Sequence, residues 1–177
     1  CGQENLSSDG RGQILCRELL RLSEHRQGVL VEMVILTQSL PEYKFLLSIP
    51  GIAETTATSI IGDLGEIRRF QTTNQINAYI GIDLRHYESG NFLAKEHITK
   101  RGKLYARKIL FKCIHNIASA SHTNPCHITD FYEKRKRQST IASTKPHTIA
   151  SIHRLIRTMY YLITHNKLYD YSLTQNR

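Results

Sequence analysis

The sequence predicts a mainly α-helical fold, and three observations support this prediction. Apolar residues make up 40% of the 177 residues, enough for the core of one domain with an appendage. A heptad of apolar residues runs from residue 15 to residue 40. Further along, an apolar helix runs into Ile49-Pro50-Gly51-Ile52, and a second apolar helix starts directly after it. We therefore predict a helical domain containing a helix-hairpin-helix, preceded by a coiled-coil-like helix.

The N-terminal part divides into a polar stretch and a long helix. Residues 1–12 are polar and Gly-rich and lack an initiator Met, so we expect a disordered linker or one cut from a longer protein. Residues 13–40 carry two rows with alternating four- and three-residue spacing. The rows are Leu15, Leu22, Val29 and Leu36, and Leu19, Arg26, Met33 and Leu40. This spacing is typical of a dimerising coiled coil, and an amphipathic helix packed on its own domain fits it equally well.

The next segment predicts two helices joined by a tight turn. Pro41 is suited to the first turn of a helix, which we expect over 42–48, and a second helix follows over 53–64. The proline between them ends the first helix, and the glycine after it supplies the turn. The first N–H groups of the second helix lack partners within it and lie at the positive end of its dipole, so they can hold a phosphate. The candidate nucleic-acid contacts here are Pro50, Gly51 and Ile52.

The remainder predicts a domain over residues 41–170 and a polar tail over 171–177. The segment from Gly81 to Gly102 has no sustained helical period, so we expect a loop with room for a short hairpin. The tail should fray after Tyr169. Periodicity predicts the other helices at 73–80, 103–120, 128–137 and 148–165, with a linker over 139–146.

The charge balance favours a polyanionic partner. The chain has 24 Lys and Arg against 15 Asp and Glu, a net charge of +9. A basic protein without such a partner would have the same composition. Helical spacing puts Lys100, Lys103 and Arg107 on nearly one face, which suits a phosphate backbone or an ordinary solvated surface. The candidate backbone contacts are Arg85, Lys100, Arg101, Lys103 and Arg107, and a second basic block covers 134–137.

Cysteine spacing and hydropathy exclude several other classes. The four cysteines, at positions 1, 16, 113 and 126, lack the C-x-x-C spacing of a zinc or redox site, so we expect reduced thiols in a cytosolic protein. The nearby histidines fit no standard zinc finger, and the acids are spread among unlike segments, so we expect no metal site in this chain. No apolar run is long enough to span a membrane, and no signal peptide is visible.

Ser89 precedes a glycine in the cation-rich loop. A serine hydroxyl is a poor nucleophile until its proton is removed, and attack on a phosphodiester needs cations around the phosphoryl oxygens. Arg85, Lys100, Arg101 and Arg107 would supply those cations. On spacing alone the Ser-Gly pair is more typical of a simple turn, and Tyr87 is a rival nucleophile.

Four blocks of sequence occur in an informative order. They are LSIPGI at 47–52 with GDLG at 62–65, AYIGID at 78–83 leading to SGNF at 89–92, ITKRG at 98–102 with Arg107, and FYEK at 131–134 followed by RLI at 154–156. In this order and at these separations they resemble the C-terminal part of insertion-sequence transposases of the 110/116/902 type, the bridge-RNA-guided serine recombinases. The resemblance covers residues 42–170, and the preceding helix is similar to the family's coiled-coil spacer.

The resemblance implies a role in DNA transposition. It makes Ser89 the nucleophile that holds a broken DNA strand as a phosphoserine ester, with Lys100, Arg101 and Arg107 on phosphate or on DNA and RNA backbones. It implies donor and target DNA, a guide RNA, a homo-oligomer formed through residues 13–40, and a nucleoid-associated location in the bacterial cytoplasm. It also implies an N-terminal RuvC-like domain whose four acids bind Mg²⁺, which residues 1–177 do not include.

The sequence also departs from the family pattern, and it leaves two other functions open. Ala53 replaces a usual hairpin glycine, Leu84 replaces a usual proline, and the Gly-Lys before the last helix is blurred over 139–145. We therefore expect a divergent copy that binds nucleic acid and does not complete transposition alone. One alternative is a non-enzymatic helix-hairpin-helix protein that binds DNA or DNA junctions, and the other is a basic coiled-coil interaction protein.

Overall fold

In a computed structural model, the backbone is described for residues 5–85, 88–89, 92–93, 97–140 and 142–174, and side chains for 10–83, 98–140 and 142–173. The described helices are α1 (Asn5–Gln38), α2 (Pro41–Leu47), α3 (Glu54–Leu64), α4 (Thr73–Ile80), α5 (Leu104–Ala120), α6 (His127–Gln138) and α7 (Lys145–Thr164). Single-turn 3₁₀ helices lie at Ile67–Arg69 and Ser172–Thr174. The strands are β1 (Leu84–Arg85), β2 (Glu88–Ser89), β3 (Phe92–Leu93) and β4 (His97–Ile98). The prediction of a mainly α fold is confirmed.

The chain divides into two compact units, Cys1–Ser39 and Leu40–Arg177, and helix α1 forms the first. Because α1 begins at Asn5, the prediction of a disordered linker over 1–12 is wrong for residues 5–12. The two glycines in this stretch each cost a helix about 1 kcal/mol, but unlike proline they do not block its backbone. The seam residues Leu15, Leu19, Leu22 and Leu36 are 61–73% exposed.

Helix α7 lies at the centre of the second unit and packs against α2, α4, α5 and α6. Its side chains at Ile152, Leu155, Ile156 and Met159 are almost completely buried. The helix begins at Lys145, inside the stretch that we predicted as a linker. Proline is accepted there because the first turn of a helix needs no hydrogen bond from its N–H group.

The segment after α7 is anchored by two tyrosines. The Tyr169 N–H donates to Oγ of Ser48 at 2.9 Å, and the Tyr169 hydroxyl lies 2.7 Å from Nδ1 of His127. The Tyr171 hydroxyl donates to Oδ2 of Asp130 at 2.9 Å. Burial raises the pKa of Tyr169 and lowers that of His127, so this contact joins two neutral groups. The prediction of fraying directly after Tyr169 is therefore wrong as far as Tyr171.

Candidate nucleic-acid interface

The short strands form two antiparallel ladders between α4 and α5. Strand β1 pairs with β4, and β2 pairs with β3, so the predicted loop contains a hairpin. We call residues 84–98 the ribbon. Ser89 pairs with Phe92, and only two residues separate them, so Ser89 is the last paired residue before the turn of the hairpin. The side chains of Ser89 and Arg85 lie outside the described part of the chain.

The two ends of the ribbon are fixed to each other by backbone hydrogen bonds. We call residues 79–83 and 99–103 the ribbon base. The bonds run from the N–H of Lys103 to the carbonyl of Tyr79 (3.1 Å), from Lys100 to Gly81 (3.0 Å) and from Thr99 to Asp83 (2.9 Å). The end of α4 and the segment before α5 therefore hold the ribbon through main-chain hydrogen bonds.

At Gly102 the two backbone segments of the ribbon base lie very close to each other. Its φ of +152° lies in a region that residues with a side chain rarely adopt. A Cβ atom on this residue would lie 2.4 Å from the carbonyl oxygen of Tyr79 and 3.0 Å from the nitrogen of Gly81. Both contacts are with backbone, so a side chain here would push the two ends of the ribbon apart.

Two side chains from other helices reinforce the ribbon base. Nη1 of Arg107 on α5 donates to the carbonyl of Ile80 at 2.6 Å. At least one of its five N–H groups therefore holds α4 and is not free for a phosphate. On α7, the His153 side chain lies close to Asp83 and to the backbone of Ile82. Burial and, secondarily, Arg157 lower the pKa of His153, so the neutral imidazole is favoured.

Lys100, Arg101 and Lys103 are exposed at the ribbon base. The predicted helical face that joined Lys100, Lys103 and Arg107 is wrong, because α5 begins only at Leu104. The three exposed cations are instead brought together by the backbone bonds of the connection that leads into α5. Their contact with a phosphate backbone stays a prediction.

The turn between α2 and α3 is more enclosed than the sequence suggested. Gly51 has a φ of +82°, and a Cβ on it would lie 2.6 Å from Cα of Ile117 on α5. The side chains of Ile49 and Ile52 are buried, and the N–H of Ile52 donates to the carbonyl of Ile49 at 3.1 Å. The turn uses the Ile52 amide and the core contains its side chain, and a contact of Ile52 with nucleic acid stays a prediction. Pro50 and Gly51 are only half-buried.

The start of α3 is the open part of this turn. Residues Ala53, Glu54 and Thr55 are exposed, and the first helical bonds are made only by the next two amides, which donate to the carbonyl of Ala53. These three positions are where unpaired helical amides face solvent. Glu54 lies in the same first turn, and its carboxylate competes with a phosphate for the positive end of the dipole.

The comparisons with known proteins agree with the sequence blocks. Residues 43–133, just over half of the chain, match the family described as transposase IS116/IS110/IS902. The chain belongs to this transposase family. The matched range contains the α2–α3 turn, the whole ribbon and its base, and most of α6.

Two curated relatives extend this result. The chain is 31% identical over 96 residues to the transposase for insertion sequence element IS1111A of Coxiella burnetii, over 54% of this chain and 26% of that protein. It is 32% identical over 65 residues to a probable family 20 transposase of Pseudomonas aeruginosa, over 37% of this chain and 19% of that protein. The matched part of this transposase-family chain thus corresponds to about a quarter or less of each relative.

Within the described residues, this transposase-family chain has no three His, Cys, Asp or Glu side chains placed to hold a metal ion. None of the described helices is long and apolar enough to cross a membrane. Sequence reasoning missed His153, because its partners at the ribbon base are distant in the sequence and no local pattern marks them.

Proposed function

We propose that this chain is the nucleic-acid-binding and serine-bearing C-terminal part of a DNA transposase. Family membership gives a role in transposition. The observation that carries the finer proposal is the ribbon base, where Lys100, Arg101 and Lys103 are exposed on a main chain that backbone hydrogen bonds hold in place. Cations on a fixed backbone suit the phosphates of donor and target DNA, and those of a guide RNA.

Binding to nucleic acid is tested with the full chain and a fluorescein-labelled DNA duplex. Anisotropy titrations at increasing NaCl should show an affinity that falls linearly on a log–log plot, because each phosphate contact releases counterions. An absence of binding to duplexes and junctions in dilute buffer would contradict the proposal. That result would favour the alternative of a basic coiled-coil interaction protein.

Ser89 is proposed as the nucleophile of the intact transposase. Its place at the end of the β2–β3 ladder supports this role, because that ladder belongs to a ribbon whose two ends are fixed by backbone hydrogen bonds. Serine attack on a DNA phosphate would leave a phosphoserine ester and a free 3′ or 5′ hydroxyl, so the energy of the broken bond is kept for rejoining. The alternative is a DNA- or junction-binding protein that uses Ser89 only in the hairpin. The Mg²⁺ of the reaction belongs, in this proposal, to an N-terminal RuvC-like domain.

The open amides at the start of α3 are proposed as a second phosphate contact. Because the Glu54 carboxylate opposes an anion there, Glu54→Gln should raise the affinity for duplex DNA by about two- to fivefold. Glu66→Gln is the matched control, since Glu66 is also exposed but lies beyond the end of α3. Equal effects of the two substitutions in anisotropy titrations would show that only net charge matters and would remove α3 from the interface.

Helix α1 is proposed to form a parallel or antiparallel coiled-coil homodimer through its exposed seam. Leu22 lies on the seam and Leu20 beside it, and the two are similarly exposed at 61% and 66%. In sedimentation velocity, the wild type and Leu20→Glu should be dimers, and Leu22→Glu should be a monomer. A wild type that stays monomeric at all concentrations would contradict the proposal.

A further inference from the structure

Two large apolar side chains are exposed at the start of α5. Leu104 is 57% exposed and Tyr105 is 66% exposed, directly after the ribbon base. Among the described side chains, the Tyr105 ring has no aromatic or cationic group stacked on it. The ring therefore makes no stacking contact within the described fold, and its exposed face is available to a partner.

The segment of sequence that contains Tyr105 carries charge of one sign. Residues 98–112 contain no Asp or Glu. Their six cations are Lys100, Arg101, Lys103, Arg107, Lys108 and Lys112. Of these, all except Arg107 are exposed. An exposed aromatic ring in a segment whose charges are all positive fits a partner that has both anionic and aromatic groups, which describes a nucleic-acid strand whose bases are accessible.

The backbone of Lys100, five residues before Tyr105, is held in an unfavourable conformation. Lys100 has a φ of +55°, a left-handed conformation that costs a residue with a side chain about 1–2 kcal/mol. It is kept there by its hydrogen bond to Gly81. Such a conformation persists only where the surrounding structure holds it, and here the ribbon base does so.

Two other described aromatic rings of this unit, those of Phe131 and Tyr161, are less suitable for stacking. The Phe131 ring is covered by Arg154, whose guanidinium carbon lies 4.7 Å from the ring centroid, and Arg135 lies at 5.7 Å. The exposed Tyr161 is stacked on His165, with ring centroids 4.3 Å apart. The Tyr105 ring has neither a cation over its face nor a stacked ring among the described side chains.

We propose that Tyr105 stacks on an unpaired nucleobase while Lys100, Arg101 and Lys103 hold the phosphates on either side of it. This inference rests on the proposed nucleic-acid binding and adds to it a preference for unpaired over paired strands. A base within a duplex has both faces covered by its neighbours, so Tyr105 gains nothing from a continuous duplex. The unpaired base belongs to a displaced DNA strand or to an RNA strand.

The test uses the full chain with three probes, a single-stranded oligothymidylate, an oligouridylate and a DNA duplex. Tyr105→Ala should weaken binding to the single strands by about tenfold and leave duplex binding unchanged. Tyr105→Phe keeps the ring and should bind all three probes as the wild type does. The matched control is Tyr161→Ala, which removes another exposed tyrosine and should leave the affinity for all three probes unchanged. A single 2-aminopurine in the oligothymidylate should lose fluorescence on binding to the wild type and keep it with Tyr105→Ala.

The outcomes separate this inference from the proposed function. If the wild type binds the probes and Tyr105→Ala binds single strands equally well, the stacking role is overturned and nucleic-acid binding stands. A parallel loss on single strands and duplex would also overturn it, because Tyr105 would then matter for a contact that both share. If the wild type binds none of the probes, both proposals fail. A larger effect on oligothymidylate or on oligouridylate assigns the unpaired base to DNA or to RNA.

Discussion

Replacing Gly102 by alanine is expected to lower the free energy of unfolding of the second unit by about 3 kcal/mol or more. The new Cβ would lie 2.4 Å from the carbonyl oxygen of Tyr79, and this backbone atom cannot move without breaking the bond from Lys103. The φ of +152° would also strain the backbone of an alanine at this position, in addition to the clash. A loss of this size is a large part of the stability of an ordinary domain.

Gly65→Ala is the matched control for this prediction. Gly65 also has a positive φ, of +67°, but the nearest atoms to a Cβ there belong to the Arg69 side chain at 4.0 Å. This substitution should therefore cost only the backbone strain of a residue at φ +67° and ψ −153°, of order 1–3 kcal/mol, and less than Gly102→Ala. Urea unfolding followed by tyrosine fluorescence reports on the second unit alone, because all nine tyrosines lie beyond residue 39 and the chain has no tryptophan. Equal stability of the two variants would contradict the tight contact at the ribbon base.

Replacing Ser89 by alanine in the intact transposase is expected to reduce strand exchange by roughly 10⁴-fold or more. Without the hydroxyl no phosphoserine ester forms, and no other group on the hairpin replaces it unless Tyr87 is the nucleophile. Affinity for DNA should stay at the wild-type level, because an uncharged hydroxyl contributes little to counterion release. The measurement is strand exchange between labelled donor and target duplexes, with anisotropy for binding.

One further variant and one further measurement make this result specific. Tyr87→Phe removes the rival hydroxyl and should leave strand exchange intact. Denaturing gels of the wild type stopped during the reaction should contain a protein–DNA adduct, which Ser89→Ala should lack. Strand exchange that survives Ser89→Ala would favour the alternative of a non-enzymatic binding domain in this part of the protein.

Local sequence patterns predicted most of the helices correctly. Helix α4 lies at 73–80 as expected. The Thr72 hydroxyl caps its start by accepting a hydrogen bond from the N–H of Gln75. The bounds of α2 and α3 differ from the prediction by a residue, because proline and glycine mark helix ends reliably. The errors lie at the starts of two helices. Helix α1 includes residues 5–12, where two glycines weaken the helical signal, and α7 begins at Lys145 because a helix accepts Pro146 in its first turn.

The candidate site was predicted less completely, because tertiary contacts assemble it. The sequence marks Gly51 and Ile52 as turn residues, but only the fold shows that α5 lies against the glycine and that the core contains the isoleucine. It marks Arg107 as a cation, but not that Nη1 donates to the carbonyl of Ile80. The basic residues around Tyr105 were visible in the sequence. Exposure of the ring was not predicted, although Tyr105 lies off the face that α5 buries at Ala106, Leu110 and Ile117.

The most direct measurement of the central claim compares two variants that each lose three positive charges. Lys100→Gln, Arg101→Gln and Lys103→Gln neutralise the ribbon base, and Arg11→Gln, Arg17→Gln and Arg21→Gln remove the same charge from exposed positions on α1. We expect the first variant to lose about two to three units from the slope of log affinity against log salt concentration, and the second to keep the wild-type slope. Identical slopes for the two variants would show that nucleic acid is not held at the ribbon base, and would contradict the account.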